Sequence, residues 1–137
     1  MTTAINIADH INAATGKPFG PKFDGTITIR RPSLHDKKNI ALQVVKMMST
    51  YGSVDPDMIN DGMRLTIHAF AYVNVLNEGD IPDWFDMDKI YDEDGENAVL
   101  EVWSEVAKFL NSFRSKNNGD TGQPGSEQPS LLVQEQV

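Results

Sequence analysis

The chain is predicted to be mainly α: three principal helices with a short N-terminal β-strand or hairpin and a disordered C-terminal tail. Three observations predict this. Apolar residues recur at helical spacing in three stretches beyond Pro32. The only sustained alternation of polar and apolar residues is Thr26-Ile27-Thr28-Ile29-Arg30. Between Lys116 and Ser130 apolar residues vanish altogether, so the segment buries too little surface to offset the entropy of ordering. The expected organisation is an N-terminal arm (1–18), a helical domain (19–115) and a disordered tail (116–137).

Residues 1–18 are ambiguous. Ile5, Ile7, Ala8, Ile11 and Ala14 fit one face of a short helix ended by Gly16 and Pro18, or an arm that orders only on assembly. The strand at 26–30 follows Asp24-Gly25, a strong turn pair, which predicts a hairpin with Lys22–Phe23. Arg31-Pro32 closes it, because proline donates no ladder hydrogen bond. Ser33 is then the expected N-cap, with Asp36 three residues on in the capping-box position. The helix that follows places Leu34, Ile40, Ala41, Val44, Val45, Met48 and Tyr51 on one broad stripe, with Lys37, Lys38 and Lys46 opposite and Gly52 as the stop.

Asp55-Pro56 signals a second start. This helix carries two apolar stripes, Ile59, Met63, Thr66, Phe70 and Val73 beside Leu65, Ala69, Tyr72 and Leu76. A helix apolar around most of its girth belongs at the centre of a core, so it is expected to be the spine, ending near Gly79. The loop Asp80–Phe85 should plug Trp84 and Phe85 onto the helices. The last helix is expected from about Glu96 to Phe113, with Val99, Val102, Trp103, Val106, Leu110 and Phe113 inward.

A length of 137 residues fits one domain. With no cysteine, disulfides, thiolate catalysis and cysteine-ligated metals are excluded, and a reducing cytoplasm is the fitting setting. No apolar run reaches the roughly 18 residues of a membrane span. Met1–Asn6 has no basic region leading into an apolar stretch, so no signal peptide is expected and the protein should stay where it is made. The net charge of −8 opposes nucleic-acid backbones. Its distribution is uneven: Lys17 to Lys46 is rich in base, whereas Asp55 to Glu105 is strongly acidic. That is either an ordinary solvated surface or a charge pattern that steers copies head to tail.

Chemistry-bearing motifs are absent, and no catalytic residue, cofactor site or metal site is expected. An EF-hand alignment on Gly95 puts Asp92, Asp94 and Glu101 at ligand positions but Ile90 at the first, so an acidic loop before a helix is the better account. His10, His35 and His68 are scattered, without a second ligand at metal spacing, and His68 reads as a satisfied core or interface histidine. There is no Gly-x-Ser-x-Gly, Ser-x-x-Lys or phosphate loop. The protein therefore reads as a binder of other proteins. Candidates for its interface, chosen by residue type, are Arg30, Arg31, Lys37, Met47, Met58, Tyr72, Trp84 and Phe85; methionine adapts to varied partners and aromatics anchor.

The order of features resembles a family. Phe23-Asp24-Gly25-Thr26-Ile27-Thr28-Ile29 runs into Arg30-Arg31-Pro32-Ser33-Leu34-His35-Asp36-Lys37, then an amphipathic helix and one of low polarity. Pro82-Asp83-Trp84 follows, and then a helix ending Val102-Trp103-Ser104-Glu105-Val106-Ala107-Lys108-Phe109-Leu110-Asn111-Ser112-Phe113. Over roughly residues 19–115 this is similar to the tail assembly chaperones of long, non-contractile-tailed bacteriophages. The resemblance implies a protein of the host cytoplasm that coats the tape measure protein before the tail tube forms and self-associates into spirals or rings. It further implies a longer product, made by ribosomal frameshifting, that recruits tail tube protein. The rival expectation is a head–tail connector or minor virion protein.

Overall fold

The computed structural model describes residues 1–54 and 60–119, with side chains described for 1–51 and 60–114. The chain clusters into two compact units, Met1–Val106 and Ala107–Val137. Three helices dominate: α1 (Leu34–Val54), α2 (Asp61–Leu76) and α3 (Glu93–Gly119).

The strand lies where the alternation places it. β4 (Ile27–Arg30) buries Ile27 and Ile29 and turns Thr28 and Arg30 outward. Its partner is different from the one expected. β4 pairs antiparallel with β1 (Thr2–Ile5), in the register Thr2↔Arg30 to Ile5↔Ile27. Lys22 and Phe23 instead sit in a short 3-10 turn, Pro21–Phe23. Proline at the start of that turn favours it, since the ring pre-sets φ and supplies no N–H for a ladder.

The N-terminal arm is therefore extended, not helical. After β1 the side chain of Asn6 accepts from the Ala8 N–H, and β2 (Ile11–Asn12) pairs with β3 (Lys17–Pro18). Gly16, taken from sequence as a helix stop, has φ 73° and supplies the left-handed residue that this tight hairpin needs. Ile5 and Ile7 are buried two residues apart, the period of a strand. Gly25, at φ 123°, lies so close to Pro82 that an added Cβ would stand 2.8 Å from its ring.

The start of α1 is a full capping box. Ser33 Oγ accepts from the Asp36 N–H, and Asp36 Oδ2 accepts from the Ser33 N–H, both at 3.0 Å. Gly52 does not stop the helix, which runs on to Val54. α2 begins on Asn60, whose side chain accepts from the Met63 N–H, and ends at Leu76 rather than Gly79, with Asn77 as its C-cap. The expected start at Asp55-Pro56 falls outside the described residues.

α2 is the spine. It buries Ile67, Ala69, Phe70, Ala71, Val73 and Leu76, which span most of its circumference. α3 presents Ala98, Val99, Val102 and Val106 to the same core. Past Leu76 the chain bonds to β4, with the Glu78 N–H donating to the Thr28 carbonyl at 2.7 Å and an isolated bridge at Ile29↔Asn77. α3 opens three residues earlier than expected. Asp92 caps it by accepting from the Gly95 N–H at 2.8 Å, and Glu93, Asp94 and Glu96 occupy the first turn, where the helix dipole favours them. In the second unit, Phe109 and Phe113 meet edge to face with centroids 5.0 Å apart. The expected tail lies outside the described residues from residue 120 onward.

Candidate functional site: an apolar face on α1

α1 has more apolar surface than the core uses. Its inner arc, Asp36, Ile40, Gln43, Val44, Met47, Met48 and Tyr51, faces the rest of the molecule, yet only Ile40 and Asp36 are fully buried. Leu34, Leu42 and Val45 are 84, 60 and 63% exposed, and Ala41 is exposed beside them. Leu34, Ala41 and Val45 recur at i, i+7 and i+11, so they form one line along the helix. The single stripe expected from sequence is thus two: an inner arc on the core and an outer line in solvent.

Where α1 meets α2, the outer line borders a shallow groove of about 290 Å³ lined by Lys37, Ile40, Ala41, Val44, Val45, His68 and Tyr72. The floor is aromatic. Tyr72 packs edge to face on Trp103 at 5.2 Å and stacks with His68 at 6.3 Å, while His68 lies 5.7 Å from Trp103. His68 Nδ1 is 2.7 Å from the Arg64 carbonyl, so this histidine is satisfied within its own helix, as expected. Lys37 stands at this rim; the sequence pattern had put it on the opposite side of α1.

The other interface candidates divide. Arg30 is committed to the fold: its guanidinium donates to Asp36 Oδ1 at 2.9 Å, Asp36 Oδ2 at 3.3 Å, Glu78 Oε2 at 3.1 Å and the Val75 carbonyl at 3.0 Å. It ties β4, the start of α1 and the end of α2 together. The fork geometry suits a planar guanidinium and no other side chain. The Arg30 bond, followed by the Ser33 N–H, holds the Asp36 carboxyl down at about 2 from an ordinary 3.8, and Asp36 in turn raises Arg30. Phe85 is also core rather than interface. It is 4% exposed and packs at a tilt against Phe70 with centroids 4.4 Å apart, so its surface is already buried.

Trp84 is half-buried and packs edge-on against Phe23 at 5.2 Å, on the 3-10 turn rather than on a helix. Its indole N–H has no hydrogen-bond partner among the described residues. Arg31 is exposed, with its backbone N–H bonded to the Met1 carbonyl. Met47 is half-buried and lines a separate depression of about 370 Å³ with Gln43, Lys46, Thr50 and Tyr51. Met58 lies outside the described residues. Of the eight candidates, the fold brings Lys37 and Tyr72 to one groove. Residue type alone missed Leu34, Ala41, Leu42 and Val45, because a leucine or valine on an amphipathic stripe is indistinguishable from core until the width of that stripe is compared with what packs on it.

No helix among the described residues is long and apolar enough to cross a membrane. No family model, curated protein or solved structure matches the chain.

Proposed function

We propose that the chain is a tail assembly chaperone of a long, non-contractile-tailed phage, acting in the host cytoplasm by binding the tape measure protein and by self-association. The observation that carries the reading is the exposed apolar surface of α1, the line Leu34, Ala41 and Val45 with Leu42 to one side, beside the Tyr72 groove. An amphipathic helix docks by laying its apolar residues at i, i+3, i+4 and i+7 into such a surface, and a tape measure protein is a long helical partner of that kind. Three exposed large apolar side chains and a groove with an aromatic floor support a protein-binding role.

The resemblance over residues 19–115 supplies the particular partner, and tail tube protein would join through a longer, frameshifted form. The test is co-expression with the tape measure protein encoded by the same phage, together with analysis of purified particles. A chaperone keeps the tape measure protein in solution, co-purifies with it and is missing from finished virions. Presence in virions without that association would replace this reading with the head–tail connector or minor virion protein.

A further inference from the structure

The N-terminal hairpin and α3 meet at a group of side chains that the docking face does not use. His10 Nδ1 lies 2.7 Å from Glu101 Oε2, and one ligand atom each from His10, Glu101 and Glu105 fall within 4.8 Å of one another. Glu101 and Glu105 are i and i+4 on α3, so both carboxylates rise from one face of the helix toward the same imidazole.

His10 is held for the purpose by its backbone. Its N–H donates to the Ile7 carbonyl at 2.9 Å, and its own carbonyl accepts from the Phe19 N–H at 3.0 Å. Two residues on, the buried Asn12 donates to Asp94 Oδ1 at 3.3 Å, which pins the hairpin to the first turn of α3.

We propose that His10, Glu101 and Glu105 bind a divalent transition-metal ion, zinc in the first instance, which clasps the N-terminal hairpin onto α3. Four-coordinate zinc takes nitrogen and oxygen donors at about 2.0–2.1 Å, which sets the donors roughly 3.3 Å from each other. The separations of 2.7 Å and at most 4.8 Å bracket that value, so small side-chain rotations complete the set. One imidazole and two carboxylates with a fourth position left to water suit zinc; magnesium and calcium prefer oxygen alone. His10 and Glu101 are about one-third exposed (33 and 28%), so an ion can enter without unfolding the chain. No pattern of spacing along the sequence announces the site, because its ligands come from positions 10, 101 and 105.

The test is thermal melting of the metal-stripped full-length chain, with zinc chloride or magnesium chloride added, beside isothermal titration calorimetry. Selective binding to the folded state raises Tm, and zinc at a hundredfold excess over its Kd should raise it by several degrees, while magnesium leaves it unchanged. Glu105→Gln should lose at least tenfold in zinc affinity, and His10→Ala should lose the zinc response entirely. Should His10→Ala fail to fold, Glu105→Gln carries the test alone. No zinc-dependent shift in the wild type, an equal response to magnesium, or a zinc affinity that Glu105→Gln leaves unchanged would each overturn the site and leave only the His10–Glu101 contact.

Discussion

Asp36 is the residue on which three elements converge. It completes the capping box of α1 and accepts two bonds from Arg30, which also reaches Glu78 and the end of α2. Because the carboxyl is depressed to about 2 in the folded chain against an ordinary 3.8, its contribution is fully present above the unfolded value. That contribution is lost as pH falls from about 4 toward 2. Urea midpoints measured across that window should fall in the wild type and fall less steeply in Asp36→Asn. Ser33→Ala removes only the acceptor for the Asp36 N–H and should lower stability by about 1 kcal/mol, read from the shift in denaturant midpoint at unchanged slope. Gly25→Ala meets both a positive φ and the Pro82 ring at 2.8 Å, so it should cost more than about 1 kcal/mol.

Among the elements, the helices were legible and the N-terminal strands were not. Ser33 with Asp36 marked the start of α1, and the apolar girth of 59–76 marked α2 as the spine, because caps and helical periodicity are local signals. The pairing of β1 with β4 joins residues about 25 apart, and nothing local specifies it. Thr2-Thr3-Ala4-Ile5-Asn6-Ile7 does carry a period of two in Ile5 and Ile7, but Ile11 and Ala14 extend an equally good helical pattern. Ile11 proves to be mostly exposed, so the helical pattern was built partly on a surface residue. Gly52 misled for a related reason: glycine after a stripe is a common stop, yet a helix interior tolerates it at about 1 kcal/mol. The candidate site was half legible. Tyr72 and Lys37, named from residue type as interface candidates, do line one groove, but the exposure of Leu34, Leu42 and Val45 depends on how little of α1 the core covers. The Asp80–Phe85 loop was legible through Phe85, whose burial against Phe70 predicts a loss of about 3–5 kcal/mol for Phe85→Ala in chemical denaturation.

At the scale of the molecule, charge and apolar surface are laid out unevenly. Lys37, Lys38 and Lys46 are exposed on α1, and Asp83, Asp88, Glu93 and Glu96 are exposed between α2 and the first turn of α3. Copies that meet through such regions should associate less as salt rises, a trend that sedimentation at low and high ionic strength would register. If a frameshifted form exists, mass spectrometry of everything made from the native gene and its downstream region should find a longer product that diverges near Lys116. The proposed function places the grip on the tape measure protein at the exposed apolar surface of α1. The most direct test is the double substitution Leu42→Glu/Val45→Glu, assayed for co-purification of that partner. Both positions are mostly solvent-exposed, so the variant should melt with the wild type, surface changes of this kind being worth about 0.5 kcal/mol or less. The variant should fold normally and lose the tape measure protein by at least tenfold; binding as tight as the wild type's would rule out this surface as the grip.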